Sequence, residues 1–389
     1  MSDNAAFVSR SASTGSGLRV AVKDLIDIAG SITTAGCRQV ERTAVPAATD
    51  AACLAGIMSA RERGAAQIVG KTNLHELAFG VTGINPAYGT PVNPLDASRV
   101  PGGSSSGSAV AVGSGDADVA LGSDTGGSVR IPAACCGVAG LKTTWGRIDV
   151  QGCWPLSPFL DTIGPLARSV ADIVTAMDLL EPGFKASVAR SSTPAVVGRI
   201  RPAVDTDPAV DAAVDAALQM TGLDVVELES PWWQLLQEEC LTVLLAEAWE
   251  ANRHLVEAEH SLVDEATRRR LAAGALVSAP ALLQGRRQRA RFLEVLAPLF
   301  ERVGALVLPS IPGLTPTLED GPAVALGAFT RPGNLLGTPS LSLPVPVPRS
   351  HRRAATAHLP ASIQLMALPG NDEQLVRLGA VVEAAASAA

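Results

Sequence analysis

Two Gly-Gly-Ser corners in one short stretch, residues 101–132, constrain this chain more than any other feature. Gly102-Gly103 precedes Ser104, and Gly126-Gly127 precedes Ser128. Between them run a small-residue segment, Ala109 to Val112, and an apolar run, Val119 to Leu121. The pattern reads as loop, helix, strand, loop, helix. Glycine pairs suit places where the backbone takes unusual dihedrals or approaches another group closely. A serine after such a pair can cap a helix through its hydroxyl. Consecutive N–H groups at such a corner can also point into one concavity and bind an anion. That is the chemistry of an oxyanion hole, with fixed donors aimed where negative charge develops. Two readings follow. The corners are Ser/Gly linkers or caps, or Ser128 is a nucleophile whose own loop (Thr125, Gly126, Gly127 and Ser128) supplies backbone donors.

A serine hydroxyl is a poor nucleophile until a neighbouring base takes its proton. The chain has five histidines (His75, His254, His260, His351 and His358), and none lies in this stretch. A lysine desolvated by burial can do the same work, because its neutral form is favoured. The best-placed candidate is Lys23, which ends the apolar run Leu18-Arg-Val-Ala-Val-Lys23 shortly before Gly30. Taken alone, Lys23 also reads as a solvated lysine at a strand end.

Three segments together resemble the amidase signature family. They are Ala21-Val-Lys-Asp24, Pro101-Gly-Gly-Ser-Ser-Ser-Gly-Ser108 and Gly122-Ser-Asp-Thr-Gly-Gly-Ser-Val-Arg-Ile-Pro-Ala133. The interval from Ser104 to Ser128 is the family's interval between its two catalytic serines. The likeness is strong over residues 18–182 and resumes over about 300–385, where Asn334-Leu-Leu-Gly-Thr-Pro339 resembles the family's late pocket segment. The resemblance implies an α/β fold with a central mixed, mainly parallel sheet flanked by helices on both faces. It implies a Ser–Ser–Lys triad: Ser128 attacks the amide carbonyl, Ser104, preceded by a cis peptide bond, relays the proton, and Lys23 is the base. The oxyanion hole maps onto the backbone N–H groups of Thr125, Gly126, Gly127 and Ser128. No metal or organic cofactor is implied. Gly102, Gly103, Arg130 and Trp154 are candidate substrate contacts. Arg130 reads equally as an ion-pair partner of Asp124, and Trp154 equally as core packing.

The rest of the chain sets limits. Hydrophobic residues make up 47% and charged residues 18% of the sequence, which suits a globular core. Aromatics are only 3%, so aliphatic side chains and alanine must fill it. The net charge of −7, with no long basic run, argues against general nucleic-acid binding. No apolar run reaches membrane-spanning length. Residues 1–17 read as a flexible tail without the pattern of a secretory signal. The six cysteines show no paired metal spacing, and reduced thiols in the cytoplasm are expected. Residues 64–72 imitate a phosphate-binding loop, but five residues separate the glycines where four are needed, and a strand fits instead. Residues 18–389 read as one amidase domain: core motifs over 18–182, a variable helical region over 185–300 and a closing segment over 300–389. Within it, helices are expected at 49–63, 170–180, 208–220, 234–272, 280–303 and 371–387. Asn73 with Glu76 resembles a capping box.

The expected function is hydrolysis of a linear carboxylic, carbamoyl or urea-type amide through an acyl-enzyme on Ser128, with release of ammonia or an amine. The partner is the small-molecule substrate; a homodimer is an arrangement common to such enzymes. One alternative is the glutamine-amidase subunit of an amidotransferase complex, against which the shortness of the chain argues. Another is an α/β-hydrolase elbow, Gly103-Ser-Ser-Ser-Gly107, with Ser105 as nucleophile and His351 or His358 as base.

Overall fold

The computed structural model describes residues 4–11 and 15–388. Its strands are Phe7–Arg10 (β1), Leu18–Lys23 (β2), Ala66–Thr72 (β3), Val119–Ser123 (β4), Ala139–Lys142 (β5), Ile163–Ala167 (β6), Val196–Ile200 (β7), Asp224–Leu228 (β8), Leu306–Pro309 (β9), Ser340–Val345 (β10) and Ala361–Met366 (β11). They form one sheet in the order β1-β3-β2-β4-β6-β5-β10-β11-β9-β7-β8. Every residue of β4, β6 and β11 is buried. Such strands are covered on both faces; β6 accordingly reads as an apolar run, Ile-Gly-Pro-Leu-Ala, whereas β11 buries the polar Ser362 and Gln364 as well.

The sheet is mixed, as expected, but it is not mainly parallel. Parallel pairing is confined to β3-β2-β4 and to β9-β7-β8. The middle, β4-β6-β5-β10-β11-β9, is antiparallel throughout. A parallel neighbour needs a long crossover, usually a helix. The connection from β5 to β6 holds no helix, so β6 returns antiparallel to both β5 and β4.

The stretch expected as a tail contains a strand. Phe7–Arg10 pairs antiparallel with β3 as the edge of the sheet, while residues 1–3 and 12–14 of that stretch lie outside the described residues. The false phosphate loop is β3. The capping box does not form, because Asn73 Oδ1 accepts from the N–H of Leu74 and only a short 3-10 turn, Glu76–Ala78, follows. Ser169 caps the helix Val170–Leu180 by accepting from the N–H of Asp172. The long helical pattern over 234–272 breaks into Trp233–Val256 and Glu265–Gly274, followed by Ala279–Arg302.

The sheet order decides where chemistry can sit. β2 and β4 are parallel neighbours, with Val22 opposite Leu121. Their carboxyl ends therefore lie side by side, the end of an open sheet where ligands bind. Each Gly-Gly-Ser corner feeds a buried helix: Ser106–Gly113 follows the first and Arg130–Cys136 follows the second.

Candidate active site

Lys23 is the last residue of β2 and is completely buried. Its Nζ donates to Ser104 Oγ at 2.7 Å, Ser123 Oγ at 2.8 Å and Ser105 Oγ at 2.9 Å. Among the described residues no carboxylate pairs with it. Burial, opposed by the more distant charges of Asp124 and Asp161, lowers its pKa to about 7. An ammonium fills all three contacts as a donor. A neutral amine has two N–H groups and a lone pair, so one hydroxyl must then donate to it. The site can therefore hold a proton on nitrogen or lend it to a serine.

Ser104 occupies the first corner. The Gly103–Ser104 peptide bond is cis, and the Ser104 carbonyl accepts from the N–H of His75 at 3.0 Å. The second corner is tied to the first through the N–H of Ser105, which donates to the Ser128 carbonyl at 3.1 Å. Ser128 Oγ has no hydrogen-bond partner among the described residues. It opens on a cavity of about 290 Å³, lined in part by Phe79, Val81, Thr125, Gly126, Leu244 and Arg331. One serine thus faces the lysine, and the other faces the space a substrate would fill.

The loop that carries Ser128 is built around Asp124. Its carboxylate accepts from the N–H groups of Gly127 at 2.8 Å and Val129 at 3.1 Å. It also accepts from Arg130 Nη2 at 2.9 Å and Nε at 3.0 Å, and from Asn334 Nδ2 at 2.8 Å. Burial alone would raise this carboxyl, but the Arg130 guanidinium outweighs it and holds the pKa well below the usual range. Arg130 also donates to Thr330 O, Gln364 Oε1 and Asn334 Oδ1. Fully buried and so engaged, Arg130 is an ion-pair partner and not a substrate contact.

The donor cradle is smaller than the sequence implies. The Gly127 N–H is committed to Asp124, which leaves the N–H groups of Thr125, Gly126 and Ser128 without partners among the described residues. Gly127 matters for another reason. Its φ is +124°, and a Cβ there would stand 2.2 Å from Thr330 Oγ1. Thr125 is held by its own hydroxyl, which donates to Asp161 Oδ1 at 2.6 Å. Asp161 also accepts from the N–H groups of Leu156 and Ser157, and burial raises its pKa to about 6.

The other candidates fall elsewhere. Gly102 and Gly103 pack against backbone: Cβ atoms there would stand 2.7 Å from Pro132 Cα and Gly83 N respectively. They shape the corner and do not line the cavity. Trp154 lines an adjoining cavity of about 160 Å³ that shares Ala78, Thr125 and Leu156 with the first, and its Nε1 donates to Asn252 Oδ1. Ser105 is buried, with its hydroxyl between Lys23 and the Ser123 carbonyl. His351 and His358 are exposed, and His358 lies against Asp96. The elbow reading therefore has no histidine at its serine. Sequence reasoning missed Ser123, Arg270 and Arg331. No three His, Cys, Asp or Glu side chains among the described residues group as a metal site.

The family model described as Amidase matches residues 3–376, nearly the whole chain. The chain belongs to the amidase family. This amidase-family chain is 35% identical to a glutamyl-tRNA(Gln) amidotransferase subunit of Thermus thermophilus, over 96% of the chain and 85% of that protein. It is 30% identical to the AtzE subunit of 1-carboxybiuret hydrolase from a Pseudomonas species, over 94% of the chain and 83% of that protein. A solved structure of 6-aminohexanoate cyclic dimer hydrolase with its substrate aligns with a TM-score of 0.82 and 25% identity, over 96% of the chain and 86% of its own. Enzymes of this family act on C–N bonds. Among the described residues no helix is long and apolar enough to cross a membrane, and all six cysteines are free thiols.

Proposed function

We propose that this chain hydrolyses a linear carboxylic, carbamoyl or urea-type amide, with Ser128 as nucleophile, Ser104 as proton relay and Lys23 as base. The observation that carries the reading is the contact of Lys23 Nζ with Ser104 Oγ at 2.7 Å, in a site dry enough to bring the lysine to about 7. Ser128 Oγ attacks the carbonyl carbon while its proton passes to Ser104 and the Ser104 proton to neutral Lys23. The developing oxyanion is met by the N–H groups of Thr125, Gly126 and Ser128. As the C–N bond breaks, the proton returns through Ser104 to the departing nitrogen, which leaves as ammonia or an amine. Water then attacks the Ser128 ester by the same relay, releasing the acid and restoring the serine. No hydrogen bond joins Ser104 Oγ to Ser128 Oγ in this structure; such contacts tighten when substrate arrives.

A second reading is the glutamine-amidase subunit of an amidotransferase, supported by the 35% identity to such a protein. The test is ammonia release from indole-3-acetamide, malonamide, glutamine and biuret, and ring opening of a lactam to its amino acid, with Ser128→Ala beside the wild type. Release from an open-chain amide that vanishes in the variant is expected. Turnover that survives Ser128→Ala overturns the assignment, and a preference for glutamine moves it to the second reading.

A further inference from the structure

We infer that the cavity at Ser128 takes an amide carrying a carboxylate and no ammonium group, with the carboxylate held by Arg270 and Arg331; this rests on the amidase reading. Both arginines line the cavity. They come from separate helices, Glu265–Gly274 and Arg331–Leu336. Neither has an acidic partner among the described residues. Arg270 Nη2 contacts His75 Nε2 at 2.8 Å and donates to Thr267 Oγ1 at 3.4 Å, and its buried Nε has no partner. His75 brings no charge to this contact: burial, then Arg270 and Lys23, lower its pKa to about 3, so the ring is neutral. Asp264 and Glu76 act on Arg270 only from a distance. Arg331 Nη1 reaches Gln237 Oε1 at 3.5 Å, and Arg331 Cγ lies 3.9 Å from where a Cβ on Gly126 would be. It therefore stands beside the loop that carries Ser128.

Guanidinium charge withdrawn from water is unfavourable unless an anion meets it. Elsewhere in this region the molecule supplies one, as in the pairing of Arg286 with Glu247. Here two cations face one space, and among the described residues no carboxylate lines it or pairs with either, so the anion comes with the ligand. A carboxylate suits the planar fork of arginine. The remaining wall is apolar (Phe79, Val81, Leu241, Leu244 and Leu245), which fits a short methylene spacer. An α-ammonium would find no acid in the lining. The class is thus the half-amide of a dicarboxylic acid, or a urea-type amide bearing a carboxylate.

The test compares glutaramate with pentanamide, which replaces the carboxylate by a methyl group, and with glutamine, which adds an ammonium; malonamate and succinamate vary the spacer. The best half-amide is expected to exceed its neutral counterpart by about thirtyfold or more in kcat/KM, and to exceed glutamine. Arg270→Gln and Arg331→Gln should each collapse that ratio towards one. Binding is read separately by titrating malonate, succinate and glutarate into folded Ser128→Ala protein, with and without Arg331→Gln. Binding that Arg331→Gln abolishes supports the inference. Equal turnover of charged and neutral amides, with no dicarboxylate binding, overturns it and leaves the amidase reading standing. Dicarboxylate binding with no turnover of any amide overturns the amidase reading and leaves the anion site.

Discussion

Lys23 and Lys142 are both completely buried, and burial first of all brings each to a pKa of about 7. Their surroundings differ in kind. Lys23 Nζ touches three serine hydroxyls, one of which leads towards Ser128 and the cavity. Among the described residues Lys142 Nζ has one hydrogen bond, to the Thr143 carbonyl at 2.9 Å, with Arg130 further lowering its affinity for a proton. A carbonyl has no proton to give. Desolvation makes an amine basic enough to exchange a proton at neutral pH, but only a hydroxyl chain ending at a cavity turns that into chemistry. A perturbed pKa is thus a pointer to function only together with its contacts.

The largest loss is expected at the nucleophile. Ser128→Ala should lower kcat by about 10⁴-fold or more without loss of fold, measured as ammonia release beside the melting transition. Lys23→Met should lower kcat/KM by about 10²–10⁴-fold, as removal of a general base does. Lys142→Met should change it by less than about threefold, because nothing on Lys142 faces a transferable proton. Equal losses in the two lysine variants would dissolve the distinction. A structural effect of comparable weight belongs to Asp124: Asp124→Asn leaves Arg130 buried without its anion, and denaturant titration should show a loss of about 3–5 kcal/mol.

Smaller effects sharpen the contrast. Lys23 acts only when neutral, so wild-type kcat/KM should fall about tenfold per pH unit below about 7 and level off above it. Lys142 should instead show itself in stability. Its folded pKa of about 7 lies below the unfolded value of about 10.4, so between them the unfolded chain binds the extra proton and stability rises with pH. Lys142→Met removes that dependence. It should therefore gain on the order of 1 kcal/mol or more below pH 7, and the gain should shrink towards pH 10 in melting experiments.

The sequence carried those parts of the site that lie in contiguous loops. Lys23, Ser104 and Ser128 sit at strand ends and corners whose glycine patterns are local, and sheet order then brings Lys23 against Ser104. The partition of backbone donors was not legible, because the Gly127 N–H turns to Asp124 only once Arg130 and Asn334 have fixed that carboxylate. Arg270 and Arg331 were hidden for a related reason. Arg270 stands in a run, Arg268-Arg-Arg270, that reads as a solvated face, and only the packing of the helices turns its last member into the cavity. Strand direction failed where the β5–β6 connection lacks a helix, and the edge strand Phe7–Arg10 failed because four residues carry little periodicity.

Whether Ser128 is the nucleophile and Lys23 its base is tested without knowledge of the substrate by phenylmethanesulfonyl fluoride and peptide mapping by mass spectrometry across pH. The expected result is one sulfonyl group on Ser128, a labelling rate that falls about tenfold per pH unit below about 7, a large loss of rate in Lys23→Met and none in Lys142→Met. A label on Ser105, or a rate on Ser128 that ignores both pH and Lys23→Met, would contradict it.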